Sequence, residues 1–361
     1  MIARRKGLSL ESFFYCIGLF LLSRVFFWGE ALSLHHWMHS SLHPHALFSL
    51  LDSVWYAGIA TSGYTLPKVG AHSPQVFFPL LPLLIKAIML LTHLPVFIAG
   101  QILSGICFFC ALCLFYHLLE RDFNTQTARL GILLLVFSPY NIYFIATYTE
   151  SLFLLLTLIF WLAGKNQCWL LMGIAGCFMS ATHPNGILIS FFGLWFMIED
   201  YQKKQTILWR YWPILLVPMG VIAYMTFLYV TIKQPLAFAH EEIYWHRQGW
   251  HYGSIESTLL YELPAQVYNF CVYLLGLGLS LFLWRERFYK EALFIPILIS
   301  IAILSGSFIA LARYTASTFA FYFGLTLFAQ KHQARNWILF TQIAFSIPLM
   351  YWWLSKIPMA Y

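Results

Sequence analysis

The sequence predicts an all-α, polytopic membrane bundle, and three observations carry that prediction. Of 361 residues, 60% are hydrophobic and only 10% charged, whereas a soluble domain carries about 25% charged residues. The apolar residues gather in repeated runs close to the ~20 that a helix needs to cross a bilayer. In hydrocarbon each span must satisfy its own backbone hydrogen bonds. Runs of this length, rich in Leu, Phe and Ile, therefore read as helices rather than barrel strands.

Taken in order, the runs give about 11 transmembrane helices in a single integral-membrane domain over 1–361. They lie near 9–28, 96–118, 128–146, 150–164, 168–182, 186–199, 211–232, 263–284, 292–311, 314–330 and 337–354. Arg4, Arg5 and Lys6 precede the first run. No small-residue cleavage site closes that run, so it reads as an uncleaved first span with the N-terminus inside. A further apolar piece, 77–92, is broken by Pro79 and Pro82 and carries Lys86. It reads as a short span, a re-entrant piece or a surface-lying helix.

The formal charge is +7. With 77–92 not crossing, the clustered basic residues fall on one side: Arg121, Arg129, Lys165, Lys203, Lys204, Arg210, Arg285, Arg287, Lys290, Lys331 and Arg335. That is the cytoplasmic side by the positive-inside rule, and the excess calls for no nucleic-acid partner. Counting 77–92 as a span would invert most of these clusters to the outside. The seven cysteines lie almost wholly in apolar runs and suggest neither a disulfide framework nor a thiolate metal site.

Two longer extracytoplasmic loops then stand out, 29–77 and 233–262. Long loops in compact membrane proteins concentrate functional residues, and both are rich in the aromatics that suit the headgroup level. Of the three aspartates, Asp122 and Asp200 sit inside and only Asp52 outside. Asp52 opens a short helical pattern through Trp55, Tyr56 and Ile59 that Gly63 stops. Two roles are open to it: an N-cap accepting backbone N–H bonds, or a general base at a membrane-surface cleft.

Other candidates lie at outer span ends. Tyr148 and Glu150 share one tight turn, and His183 and Asn185 another. A carboxylate there is either merely interfacial or has a task, because polar groups inside spans are unfavourable. Arg313, with no acidic neighbour in sequence, suits a phosphate or else snorkels to the surface. Arg24, near the outer end of the first span, is a second candidate cation. The loop histidines His35, His36, His39, His43, His45 and His72 match no metal-ligand template. No cofactor is expected, and a divalent metal, though compatible with them, has no spacing to support it. No glycine-rich phosphate loop is present.

The segments "DSVWYAGIATSGY", "VFFPLLPLLIKAI", "YTESLFLLL", "HPNGILI", "QPLAFAHEEIYWHRQGW" and "ARYTASTFAF", in that order, resemble the PIG-V family of mannosyltransferases. That family belongs to the GT-C class of multi-span glycosyltransferases. The resemblance implies an inverting hexosyltransferase that uses a polyprenyl- or dolichyl-phosphate sugar on the extracytoplasmic or lumenal face. It implies Asp52 as general base, with Arg313, Arg24 and His183 compensating the donor phosphate. Tyr56, Tyr64, Glu150, Asn185, Trp245, His246, Arg247 and Trp250 become candidate substrate contacts. The acceptor would be a lipid, a glycan or a protein. Leu51 stands where the family commonly has Trp, and His183 where it commonly has Arg. Modest length and compact loops suit a bacterial inner membrane, or an endoplasmic reticulum membrane in a eukaryote. Two other classes remain open: a transporter or flippase of lipid-linked glycans, and a non-catalytic membrane subunit.

Overall fold

The computed structural model describes residues 8–66, 72–205, 207–242, 252–304 and 311–356, the side chains of 45, 252–266 and 301–304 excepted. Among the described residues every regular element is helical. The α-helices run in order α1 (Leu10–Trp37), α2 (Asp52–Ser62), α3 (Leu80–Thr92), α4 (Val96–Asp122), α5 (Thr125–Val136), α6 (Asn141–Ile145), α7 (Glu150–Lys165) and α8 (Trp169–Thr182). They continue as α9 (Ile189–Lys204), α10 (Met219–Ile232), α11 (Ala237–His240), α12 (Tyr252–Arg285), α13 (Tyr289–Leu304), α14 (Leu311–Ala316), α15 (Phe319–Lys331) and α16 (Arg335–Leu354).

Local chemistry sets several of these boundaries. Ser9 caps α1, its Oγ accepting from Ser12 N at 3.1 Å, and Asn124 Oδ1 caps α5 through Thr127 N at 2.9 Å. Both satisfy an N–H that the first helical turn would leave without a partner. The run expected at 211–232 is broken. A 3-10 stretch, Leu208–Leu216, holds Pro213, Pro218 follows, and α10 departs at 41°. Proline removes a backbone donor and clashes with the preceding turn, which forces such a break. The piece at 77–92 resolves into α3, thirteen residues against the ~20 that would cross. It lies against α2 and α4.

Among the described residues, four helices are long and apolar enough to cross a membrane: α1, α4, the Val267–Arg285 part of α12, and α16. The bent pair before and within α10 makes a fifth if counted as one span. Leu21, Leu22 and Val25 on α1, Ile106 on α4, Leu281 on α12 and Phe340 on α16 are all exposed. An apolar surface so widely spread is unfavourable in water and at ease in hydrocarbon.

The core gathers around α7, which packs against α4, α8 and α15. Trp161 of α7 is fully buried, with the rings of Phe196, Phe294 and Phe319 at 5.2, 5.3 and 4.9 Å. Offset and edge-on aromatic pairs add about 0.5–1.5 kcal/mol each beyond their burial. Close helix approach needs a small residue at one point above all: a Cβ on Gly220 would collide with the Cys177 carbonyl of α8. One expectation is corrected by helix length. α1 continues to Trp37, well past the expected end at 28, so Arg24 sits near the middle of the helix and not at its outer end.

Candidate functional site

The turn that starts α2 aims the site. Leu51 adopts φ +57° and ψ −125°, a conformation that costs a non-glycine residue on the order of 1–3 kcal/mol. Ser53 N donates to Leu50 O at 3.1 Å across it. The result is that Asp52 becomes the first residue of α2 rather than its cap, and no side chain caps this helix. The cap role for Asp52 is therefore overturned. Its carboxylate turns instead toward a buried cation.

That cation is Arg313, on the short helix α14. Arg313 Nη1 donates to Asp52 Oδ2, and its Nε stands 2.9 Å from Glu150 Oε1. The second contact is one of charge alone: this N–H is out of line for a hydrogen bond, and Glu150 Oε2 has no hydrogen-bond partner either. All three residues are buried, with 5% of Asp52, 3% of Glu150 and 7% of Arg313 exposed. Arg313 has no acidic neighbour in sequence, yet in the fold two carboxylates share it, and it is too buried to snorkel to the surface. Burial at such a site strengthens attraction between ions and makes a missing partner unfavourable.

Tyr148 locks the cluster together. Its Oη accepts from Asp52 N at 3.1 Å, and its ring lies 5.5 Å from the Arg313 guanidinium, close enough for cation–π attraction. Tyr148 sits in the tight link between α6 and α7, where its own N–H donates to Ala146 O at 2.8 Å. Burial, with the Asp52 charge adding to it, pushes the Tyr148 phenol well above its ordinary range. The sequence alone gives Tyr148 no place in the site; its position two residues before Glu150 is the signal that could have found it.

Several other expected residues gather at the same place. Tyr56 is buried one turn along α2, its ring edge-on to Phe77 at 5.1 Å. Burial raises its phenol pKa, and the Asp52, Glu150 and Arg313 charges all reach it. Beside Glu150, the residues Thr149, His183, Asn185, Tyr314 and Ser317, among others, line a void of about 10 Å³, about the space of one water molecule. His183 packs edge-on against Tyr314 at 5.0 Å, and its Nδ1 accepts from Asn185 N at 3.5 Å. Asp52, Tyr56, Glu150, His183, Asn185 and Arg313, drawn from four segments, thus meet at one end of the bundle.

Two candidates stand apart. Tyr64 lies across Phe77 from Tyr56, its Oη donating to Phe77 O at 2.6 Å and its ring 5.6 Å from that of Tyr224. It anchors the 72–79 segment rather than touching the ions. Arg24 lies between the rings of Phe20 and Phe108, at 4.7 and 5.0 Å, and none of its nitrogens has a hydrogen-bond partner. The remaining candidates, Trp245, His246, Arg247 and Trp250, lie outside the described residues. The start of their segment is described: Phe238 of α11 packs on Phe78 at 5.3 Å, so the chain after α10 returns to the segment that follows α2.

Among the described residues no three His, Cys, Asp or Glu side chains come together in a way that would hold a metal ion. In comparison with known proteins, no family model matches the chain and no curated protein matches it.

Proposed function

We propose that this chain is an inverting membrane glycosyltransferase, and specifically a mannosyltransferase of the eleven-span GT-C type that takes its sugar from a polyprenyl or dolichyl phosphate. The observation that supports this reading is the buried Asp52–Arg313–Glu150 cluster beside the His183–Asn185 turn. Asp52 removes the proton from the acceptor hydroxyl as that oxygen attacks the anomeric carbon. The bond from that carbon to the phosphate oxygen breaks, and the lipid phosphate leaves with the electron pair and a further negative charge. Arg313 compensates that charge. Its guanidinium is engaged by Asp52 in the resting chain. An incoming donor phosphate competes for the same N–H groups, which frees the carboxylate for the acceptor at the moment a base is needed. Glu150 holds the guanidinium during that exchange.

The test is transfer of radiolabelled mannose from polyprenyl-phosphate mannose by the purified full chain. Asp52→Asn preserves size and leaves Arg313 paired with Glu150. It is expected to fold and to lose at least ~100-fold in rate, the lower end of what a general base contributes. Transfer near the wild-type rate would remove Asp52 from the chemistry. One observation favours the transporter class instead: a buried guanidinium in mid-helix at Arg24, since ionisable groups deep in spans mark transport pathways. Movement of a lipid-linked sugar across proteoliposomes without any transfer would decide for that class.

A further inference from the structure

At the opposite end of the bundle, where the basic residues collect, α1, α5, α15 and α16 enclose a recess of about 530 Å³. Its polar lining consists of Arg129, Arg335, Gln126, Gln330, Gln333 and Asn336, over a floor of Leu130, Leu133 and Ala329. Among the described residues no acidic side chain lines it, although Glu11 pairs with Arg129 at its edge. Tyr15 forms one wall, its Oη donating to Arg129 O at 3.2 Å.

Three features of this lining address an anion. Arg129 brings its charge to the edge of the recess, although its guanidinium is engaged by Glu11, by the Tyr116 hydroxyl and by the Tyr15 ring at 5.3 Å. Arg335 Nε reaches only its neighbour Asn336 Oδ1, at 3.1 Å. A planar guanidinium with N–H groups to spare matches phosphate oxygens. Gln330 Oε1 already accepts from Thr127 Oγ1 at 3.0 Å, which leaves its amide NH₂ to donate. Finally, Arg335 and Asn336 open α16, and Ala334 before them provides no side-chain cap. The first N–H groups of that twenty-residue helix therefore add their partial positive charge.

The apolar floor separates this recess from a simple anion pocket. Leu130 and Leu133 continue along α5 into the bundle, so the recess is polar toward the end of the helices and greasy toward their middle. Headgroup and acyl chain of a membrane lipid have that same order, and basic pockets between helices hold anionic headgroups. We propose that the recess between α1, α5, α15 and α16 binds the phosphate of an anionic phospholipid headgroup, with the start of its acyl chain over Leu130 and Leu133. The site is independent of the Asp52 cluster and of the transfer reaction.

Native mass spectrometry of the full chain, released from nanodiscs of equal phosphatidylglycerol and phosphatidylcholine, tests this directly. Retention of phosphatidylglycerol over phosphatidylcholine is expected. Arg335→Gln, which breaks no contact with an acid, lowers that preference about fivefold, as one lysine or arginine near anionic lipid is worth, and Arg129→Gln with Arg335→Gln abolishes it. Arg285→Gln with Arg287→Gln removes the same charge from the same end, outside the recess, and leaves the preference intact. Equal retention of the two lipids, or an equal loss in the Arg285/Arg287 control, would overturn the proposal. Displacement of the lipid by millimolar inorganic phosphate would assign the recess to a soluble anion and overturn the lipid assignment.

Discussion

The exposed pairs at the basic end and the buried Asp52 cluster use the same ion-pair chemistry to opposite effect. At the basic end, Lys331 pairs with Glu286 and Arg129 with Glu11, and in both pairs the side chains keep a third or more of their surface exposed. At the other end, Arg313 meets Asp52 and Glu150 with each side chain at most 8% exposed. Exposed pairs contribute about 0–1 kcal/mol, because water solvates the separated ions almost as well. A buried cluster has no such alternative, and losing one member strands the others. Burial rather than residue type therefore separates a solvated surface from a candidate site. Two carboxylates around one guanidinium make a poor stabilising device, and a hydrophobic replacement would hold these helices together as well or better.

The largest effect expected from breaking this contrast is at Arg313. Arg313→Met keeps the length of the side chain and leaves Asp52 and Glu150 facing each other without a cation. A loss of about 3–5 kcal/mol is expected, read as a lowered unfolding midpoint of the purified chain in detergent. A loss below 1 kcal/mol would mean that the cluster is solvated after all and resembles the basic end.

Part of this contrast was legible in the residues themselves. Scarcity singled out Asp52 as the one aspartate on its side, and position at span ends singled out Glu150, His183, Asn185 and Arg313. The pairing was not legible: Asp52 and Arg313 are 261 positions apart, and no local pattern reports a contact made by packing α14 against α2 and α7. The cap reading of Asp52 failed for a similar reason. Helix-start statistics favour aspartate as a cap, but the positive φ of Leu51 moves the boundary by one residue. Nothing about a leucine in sequence announces that conformation. Helix count was the least legible, since apolar content marks a run as buried or lipid-facing without showing where prolines such as Pro213 and Pro218 break it.

A smaller effect sharpens the contrast by separating charge from hydrogen bonding. Tyr148→Phe keeps the ring beside Arg313 but removes the acceptor of the Asp52 N–H. Stranding that buried donor is expected to lower stability by about 1–3 kcal/mol, measured by the same unfolding experiment. In the transfer assay the variant should fall less than Asp52→Asn, because the carboxylate itself remains. A larger fall than Asp52→Asn would place Tyr148, not Asp52, at the reacting atoms.

The smallest effect belongs to the exposed end and is the control that gives the others meaning. Lys331→Gln breaks the pair with Glu286, whose partners keep 54% and 33% of their side-chain surface in solvent. A change within about 1 kcal/mol is expected, and salt should erase it, since mobile ions screen exposed charges beyond ~3 Å at 1 M. Unfolding midpoints at low and high salt therefore converge for Lys331→Gln and the parent chain. For Arg313→Met they stay apart, because mobile ions screen poorly a cluster whose side chains are each at most 8% exposed in the resting chain. If added salt brought the Arg313 variant back to the parent as well, the two ends would differ only in degree, and the buried cluster would lose its claim to be a site.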